Sequence, residues 1–98
     1  MTLRHMKIFA TVCSENSITA ASKKLYISQP AVSSAIKELE LYYNAPLFDR
    51  ISKKIYLTEA GNTVYHYALH IISLFDEMRS ILIKLYQRGL ASRFSLYS

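Results

Sequence analysis

Ser28-Gln29-Pro30-Ala31-Val32-Ser33-Ser34-Ala35-Ile36-Lys37 decides the fold of this chain, because it spells a short helix with a fixed start and a polar, almost uncharged outer face. The Ser28 hydroxyl can accept a hydrogen bond from a backbone N–H that the first turn leaves without a partner, and Pro30 suits a first turn that needs no such donor. Val32, Ala35, Ile36, Leu39 and Tyr43 then recur at the three-and-four spacing of one buried face. Gln29, Ser33, Ser34 and Lys37 are left pointing elsewhere, and a polar helix face of that kind suits the edges of DNA bases. Asn44 tolerates the left-handed turn that ends a helix, and Pro46 discourages continuation.

The residues upstream predict a partner helix. Ser17 can cap Ile18 to Leu25, and the Ala20-Ala21 pair removes bulk where another helix crosses. Only Tyr26 and Ile27 separate that helix from Ser28. Two short helices, a tight connection and small residues at the crossing outline a helix-turn-helix, whose second helix enters the major groove N-terminus first. A first helix, Leu3 to Glu15, presents Leu3, Met6, Phe9, Ala10 and Cys13 along one face and closes a three-helix unit.

Downstream the pattern changes. Leu47-Phe48-Asp49-Arg50 and Lys54-Ile55-Tyr56-Leu57 are short and rich in β-favouring residues, and Ile51-Ser52-Lys53 between them is a polar tip, so a small hairpin is expected. By itself this is better read as a solvated turn, but its place directly behind a recognition helix reverses that preference in favour of a wing. Arg50, Lys53 and Lys54 would then put positive charge beside the phosphate backbone or the minor groove.

Thr58 opens the longest element. It can cap, Glu59 suits the positive end of the helix dipole, and the pattern runs without Pro or Gly from Asn62 to Arg88. Val64, Ala68, Ile71, Phe75, Met78, Leu82 and Leu85 follow alternating four-and-three spacing, a coiled-coil-like seam through which two chains would pair. Tyr67, Leu74 and Ile81 widen the seam, so more than two surfaces are expected to meet and the assembly could exceed a dimer. His66, His70, Asp76, Glu77, Arg79 and Lys84 interrupt every run long enough to span a bilayer, and no membrane role is expected. No secretory signal is read at the N-terminus, where Arg4 and Lys7 fall inside an amphipathic helix.

Composition agrees with this division. The chain has 98 residues, a net charge of +5 and a single Cys, which excludes a disulfide framework and makes the cytoplasm the expected compartment. Residues 1–57 carry eight Lys or Arg against four acids, and the remainder four against three, so the positive excess lies on the part expected to meet phosphate.

Leu3-Arg4, Phe9, Ser17-Ile18-Thr19-Ala20-Ala21, Leu25, Ser28 to Ser33, Ile36, Leu39-Glu40, Leu47-Phe48-Asp49-Arg50 and Leu57-Thr58-Glu59-Ala60-Gly61 together resemble the N-terminal domain of LysR-type transcriptional regulators. The resemblance covers residues 1 to about 88 and implies a mainly α winged helix-turn-helix over 1–57, a linker and dimerisation helix over 58–88, and bacterial gene regulation in the cytoplasm. It assigns base reading to Gln29, Pro30, Ser33, Ser34 and Lys37. The side-chain chemistry agrees in part, since Gln29 can bond an adenine edge in two places, Ser33 can donate or accept, Pro30 and Ala31 offer apolar contact to a thymine methyl, and Lys37 can approach guanine. Thr19, Ser28, Arg50, Lys53 and Lys54 suit phosphate contacts that set register. The expected partner is double-stranded DNA carrying an inverted repeat, bound by a homodimer.

Three departures from the family pattern stand out. Ser34 and Ala35 replace longer polar or basic side chains, which shortens direct readout, and Asn44 replaces a Gly that makes the same turn. Family members also continue into a two-lobed effector domain, whereas residues 89–98 form a short Ser-rich tail, expected to be mobile and not to bind an effector. The rival reading is therefore an interaction protein that pairs through its long helix with full-length relatives and interferes with them.

Other residues carry bland expectations. His66 and His70 lie one turn apart, but no Cys, Asp or Glu at suitable spacing completes a metal site, so they are read as solvent-facing. Cys13 reads as a small core residue, and Tyr42, Tyr43, Tyr65, Tyr67 and Tyr86 as packing or pairing groups. Glu38 is expected to face solvent and Glu40 to anchor a helix terminus or hydrogen bond. With no nucleophile–base pair, metal set or phosphate-binding Gly loop, neither an enzyme nor a cofactor is expected.

Overall fold

In the computed structural model, residues 1–51 and 54–87 are described. Four helices and one hairpin follow in the order α1 (Leu3–Glu15), α2 (Ile18–Leu25), α3 (Gln29–Tyr43), β1 (Phe48–Ile51), β2 (Lys54–Leu57) and α4 (Glu59–Leu85). Each helix starts on a hydroxyl side chain: Thr2, Ser17, Ser28 and Thr58 accept from the backbone N–H three residues on, at 3.3, 3.0, 3.2 and 2.9 Å. The first three helices end on a left-handed residue, Asn16, Tyr26 and Asn44, with φ of 53°, 57° and 51°. Asn44 thus makes the turn expected of it. At the ends of α2 and α3 the chain closes on itself, Ile27 N–H donating to Ser22 O and Ala45 N–H to Glu40 O, both at 3.1 Å.

The core has two parts. Ile8 and Val12 of α1, Ala21 of α2 and Val32, Ala35 and Ile36 of α3 form one cluster. Phe9, Leu39 and Leu47 form the second, backed by Leu57, Ala60, Val64 and Tyr65. Phe48 packs against both, its ring 5.2 Å from that of Phe9, and so fastens the hairpin to the helices. Ala21 is fully buried where α2 meets its neighbours, as its small size allows.

The buried arc of α1 differs from the sequence expectation. Ile8, Phe9, Ala10 and Val12 are buried, while Leu3, Met6 and Cys13 are only half-buried. Packed between α2 and α3 on one side and α4 on another, α1 needs an apolar arc wider than the single stripe of a surface helix. Tyr43 is also less buried than its spacing predicts, at 40% exposure, because α3 has run past the core by its last turn.

The hairpin begins one residue later than expected. Phe48 pairs with Leu57, Asp49 with Tyr56, Arg50 with Ile55 and Ile51 with Lys54, so Ile51 belongs to the strand and not to the tip. Leu47 is excluded from the ladder because its N–H donates to Glu40 Oε2 at 2.8 Å and its carbonyl accepts from Thr58 N–H at 3.1 Å. Thr58 Oγ1 also donates to Pro46 O at 2.7 Å. Loop, wing and start of α4 are therefore joined at one point, beside Gly61.

Helix α4 ends at Leu85, short of the expected Arg88, which lies outside the described residues together with Ser52, Lys53 and the tail 89–98. Its first turns belong to the chain's own fold: Val64 packs into the second cluster and Ala68 is 2% exposed. From Leu74 onward every residue through residue 87 is exposed.

Candidate nucleic-acid interface

The first two turns of α3 form the centre of the site. Gln29, Pro30, Ser34 and Lys37 are exposed and Ser33 is half-buried, while Val32, Ala35, Ile36 and Leu39 carry the packing behind them. The Ser28 hydroxyl is committed to Ala31 N–H, so it caps the helix as well as standing at the surface. Thr19 is exposed in the first turn of α2, where unpaired N–H groups and the helix dipole favour an anion.

The wing adds charge. Arg50 on β1 and Lys54 on β2 are exposed one ladder step apart, and Lys53 lies outside the described residues. Arg50 shares a small cavity of about 50 Å³ with Ile18 of α2, Ile36 and Glu40 of α3 and Ile55 of β2. The guanidinium-bearing strand therefore borders the helix-turn-helix directly.

One feature of the site escapes the sequence reading. Arg4, His5 and Glu38 line, with Ala31, Ser34 and Ala35, a cleft of about 310 Å³ between the start of α1 and the outer side of α3. The short side chains of Ser34 and Ala35 leave that space open. Glu38 is exposed, as expected, and its carboxylate also pairs with His5 Nε2, while His5 Nδ1 hydrogen-bonds to Thr2 Oγ1 at 2.7 Å. These partners are 33 positions apart with no periodicity linking them, so only their complementary chemistry could have hinted at the pair. Tyr26 is the other surprise. Read as a mere spacer, it holds the left-handed turn two residues before the Ser28 cap of α3 and is 95% exposed.

Glu40, by contrast, does what its position suggests and anchors the loop through Leu47 N–H. Cys13 is half-buried, and burial pushes its thiol up to about 12 from an ordinary value of 9.0. Of the expected pairing residues, Ile71, Phe75, Met78, Leu82 and Leu85 are exposed along α4, whereas Val64 and Ala68 are taken up by the core. The flanking Tyr67, Leu74 and Ile81 are 61%, 64% and 49% exposed, which makes one broad apolar surface.

A helix-turn-helix with a hairpin wing and a long trailing helix defines the chain as a winged helix-turn-helix protein. The family pattern described as "Bacterial regulatory helix-turn-helix protein, lysR family" matches residues 3–62, and the chain belongs to that family. It is 49% identical over 76 residues to a probable RuBisCO transcriptional regulator of Cyanidioschyzon merolae, covering 78% of this chain and 25% of that protein. It is 40% identical over 82 residues to the RuBisCO operon transcriptional regulator of Allochromatium vinosum, covering 84% of this chain and 27% of that protein. The chain thus spans about a quarter of the length of these relatives. Among solved structures, the BenM_DBD/catB site 1 DNA complex matches with a TM-score of 0.83 at 36% identity, covering 87% of this chain and 96% of that one. The CbnR_DBD-DNA complex matches with a TM-score of 0.80 at 28% identity, covering 87% and 98%.

Proposed function

We propose that this chain is the sequence-selective DNA-binding and pairing part of a transcriptional regulator, acting as a homodimer on an inverted-repeat operator in the cytoplasm. The observation that carries the reading is the capped start of α3, whose polar face from Gln29 to Lys37 is left uncovered beside a basic wing. The structural relatives captured with DNA share this architecture. Gln29, Pro30, Ser33, Ser34 and Lys37 read bases, with Gln29 as the principal reader by two bonds to one adenine. Thr19, Ser28, Arg50, Lys53 and Lys54 hold phosphates and set register, and Arg4 at the rim of the neighbouring cleft adds a further cation. With Ser34 and Ala35 short, DNA shape takes a larger share of the selectivity than base contacts alone would give.

No helix among the described residues is long and apolar enough to cross a membrane, and no group of three or more metal-ligating side chains is present among them. Neither observation competes with a nucleic-acid partner. Selection of bound duplexes from a random pool tests the proposal. Two half-sites related by a dyad, about one helical turn apart or a multiple of it, are expected to emerge. Affinity for the selected duplex should exceed that for a scrambled one by about a thousandfold or more at moderate salt. A pool that enriches nothing would leave pairing with longer relatives through α4 as the function instead.

A further inference from the structure

His66 and His70 project from successive turns of α4, both exposed, with ring centroids 4.6 Å apart and planes tilted by 44°. That separation has a chemical meaning. With a metal–nitrogen distance of about 2.0 Å, each imidazole centroid lies about 3.1 Å from the ion, and two rings meeting at about 90–109° sit about 4.5–5 Å apart. The ring separation thus permits both imidazoles to ligate one ion once a nitrogen of each turns toward it. Two His one turn apart on a helix face are also the arrangement by which zinc enzymes hold two of their ligands.

The surroundings favour ligation. Neither imidazole takes a hydrogen bond or an ion pair among the described residues, whereas both nitrogens of His5 are already engaged. Tyr67 sets its ring edge-on to His66 at 5.3 Å and 83°, which restricts that imidazole before any ion arrives. No third His, Cys, Asp or Glu joins the two among the described residues, so the clamp is bidentate and water completes the coordination. By helical spacing the pair faces away from Ile71, Phe75 and Leu82 and borders Leu74, one turn further along the helix.

We propose that His66 and His70 form a surface clamp for one divalent transition-metal ion per chain. Neutral imidazole selects copper(II), nickel(II) and zinc(II) over magnesium and calcium, with copper(II) held tightest. Titration of the full chain with copper(II), zinc(II) and magnesium by calorimetry tests this, together with paramagnetic broadening of the imidazole NMR signals by copper(II). One copper(II) per chain is expected, with weaker zinc(II) binding, no magnesium binding, and broadening centred on His66 and His70. Loss of an outer-sphere partner alone weakens metal sites about 10–100-fold, so His66→Ala and His70→Ala should each weaken copper(II) binding by at least about tenfold. Both side chains are exposed, and an unchanged far-ultraviolet spectrum would establish that the variants remain folded. Undiminished binding in the double variant, or broadening centred on His5 or the amino terminus, would overturn the proposal.

Discussion

Gly61 shows how far one hydrogen atom can govern a junction. A Cβ built there would lie 2.1 Å from the carbonyl oxygen of Leu47 and 2.9 Å from a methyl of Leu57, in the loop and strand that α4 must approach. Backbone cannot move aside as a flexible side chain can, so Gly61→Ala should cost about 3 kcal/mol, read as a shift in the urea midpoint at constant slope. Cys13 argues in the opposite direction, from chemistry suppressed by burial. With its thiol pushed up to about 12, native Cys13 should react with iodoacetamide at pH 8 far more slowly than in the unfolded chain. Because the folded value lies above the unfolded one, the neutral thiol favours the native state fully below 9.0, and that contribution is lost as pH rises from there toward 12. At the candidate surface, Gln29→Ala removes the proposed two-point base contact and none of the proposed phosphate contacts. Operator affinity should fall about tenfold or more while the salt dependence of binding keeps its slope, as filter binding at several salt concentrations would show.

At the scale of elements, two acids of α3 separate decoration from support. Glu38 pairs with His5 but its side chain is 64% exposed, so solvent screens the contact and Glu38→Ala should cost less than about 1 kcal/mol. Glu40 instead accepts the N–H of fully buried Leu47, and Glu40→Ala strands that donor at a cost of about 2 kcal/mol. Thermal unfolding of the two variants side by side checks the ordering, and equal losses would contradict it. The same helix shows what was legible in the sequence. The start of α2 and both ends of α3 follow from Ser17, Ser28 and Asn44, which act through local chemistry, and the structure reproduces them, whereas the cap Thr2 and the left-handed stops at Asn16 and Tyr26 were not read from the sequence. Which face of α1 is buried was not legible, because Ile8 and Val12 answer to α2 and α3, and a helix touched on several sides has no single stripe. The start of the wing was missed by one residue for a related reason: Leu47 favours a strand by type, but Glu40 and Thr58 claim its N–H and carbonyl across the fold. At the candidate site, the α3 face was legible from its period and cap, while Arg4, His5 and Tyr26 become visible only once α1 and the turn are placed beside it.

Across the whole molecule, α4 divides into a rooted part and an unpartnered part, and the division sets what pairing can do. Val64 and Ala68 hold the helix to the winged domain, so its direction is fixed relative to the recognition helix before any second chain arrives. Beyond them Leu74, Met78, Ile81 and Leu82 are 64%, 51%, 49% and 57% exposed, a contiguous apolar surface that a second copy would cover. Rigid pairing through that surface would hold two recognition helices at one separation and make the second half-site contact intramolecular. The gain is one of effective concentration, worth about 10²–10⁴ in affinity without any new DNA contact. Replacing Leu74 and Leu82 together by Glu should therefore yield a folded monomer by sedimentation, since both side chains lie outside the core. Its affinity for a single half-site should remain that of the parent domain, while affinity for the full inverted repeat falls by about 10²-fold or more. A variant that becomes monomeric yet binds the full repeat undiminished would show that α4 does not couple the two half-sites, and that each winged domain finds its own.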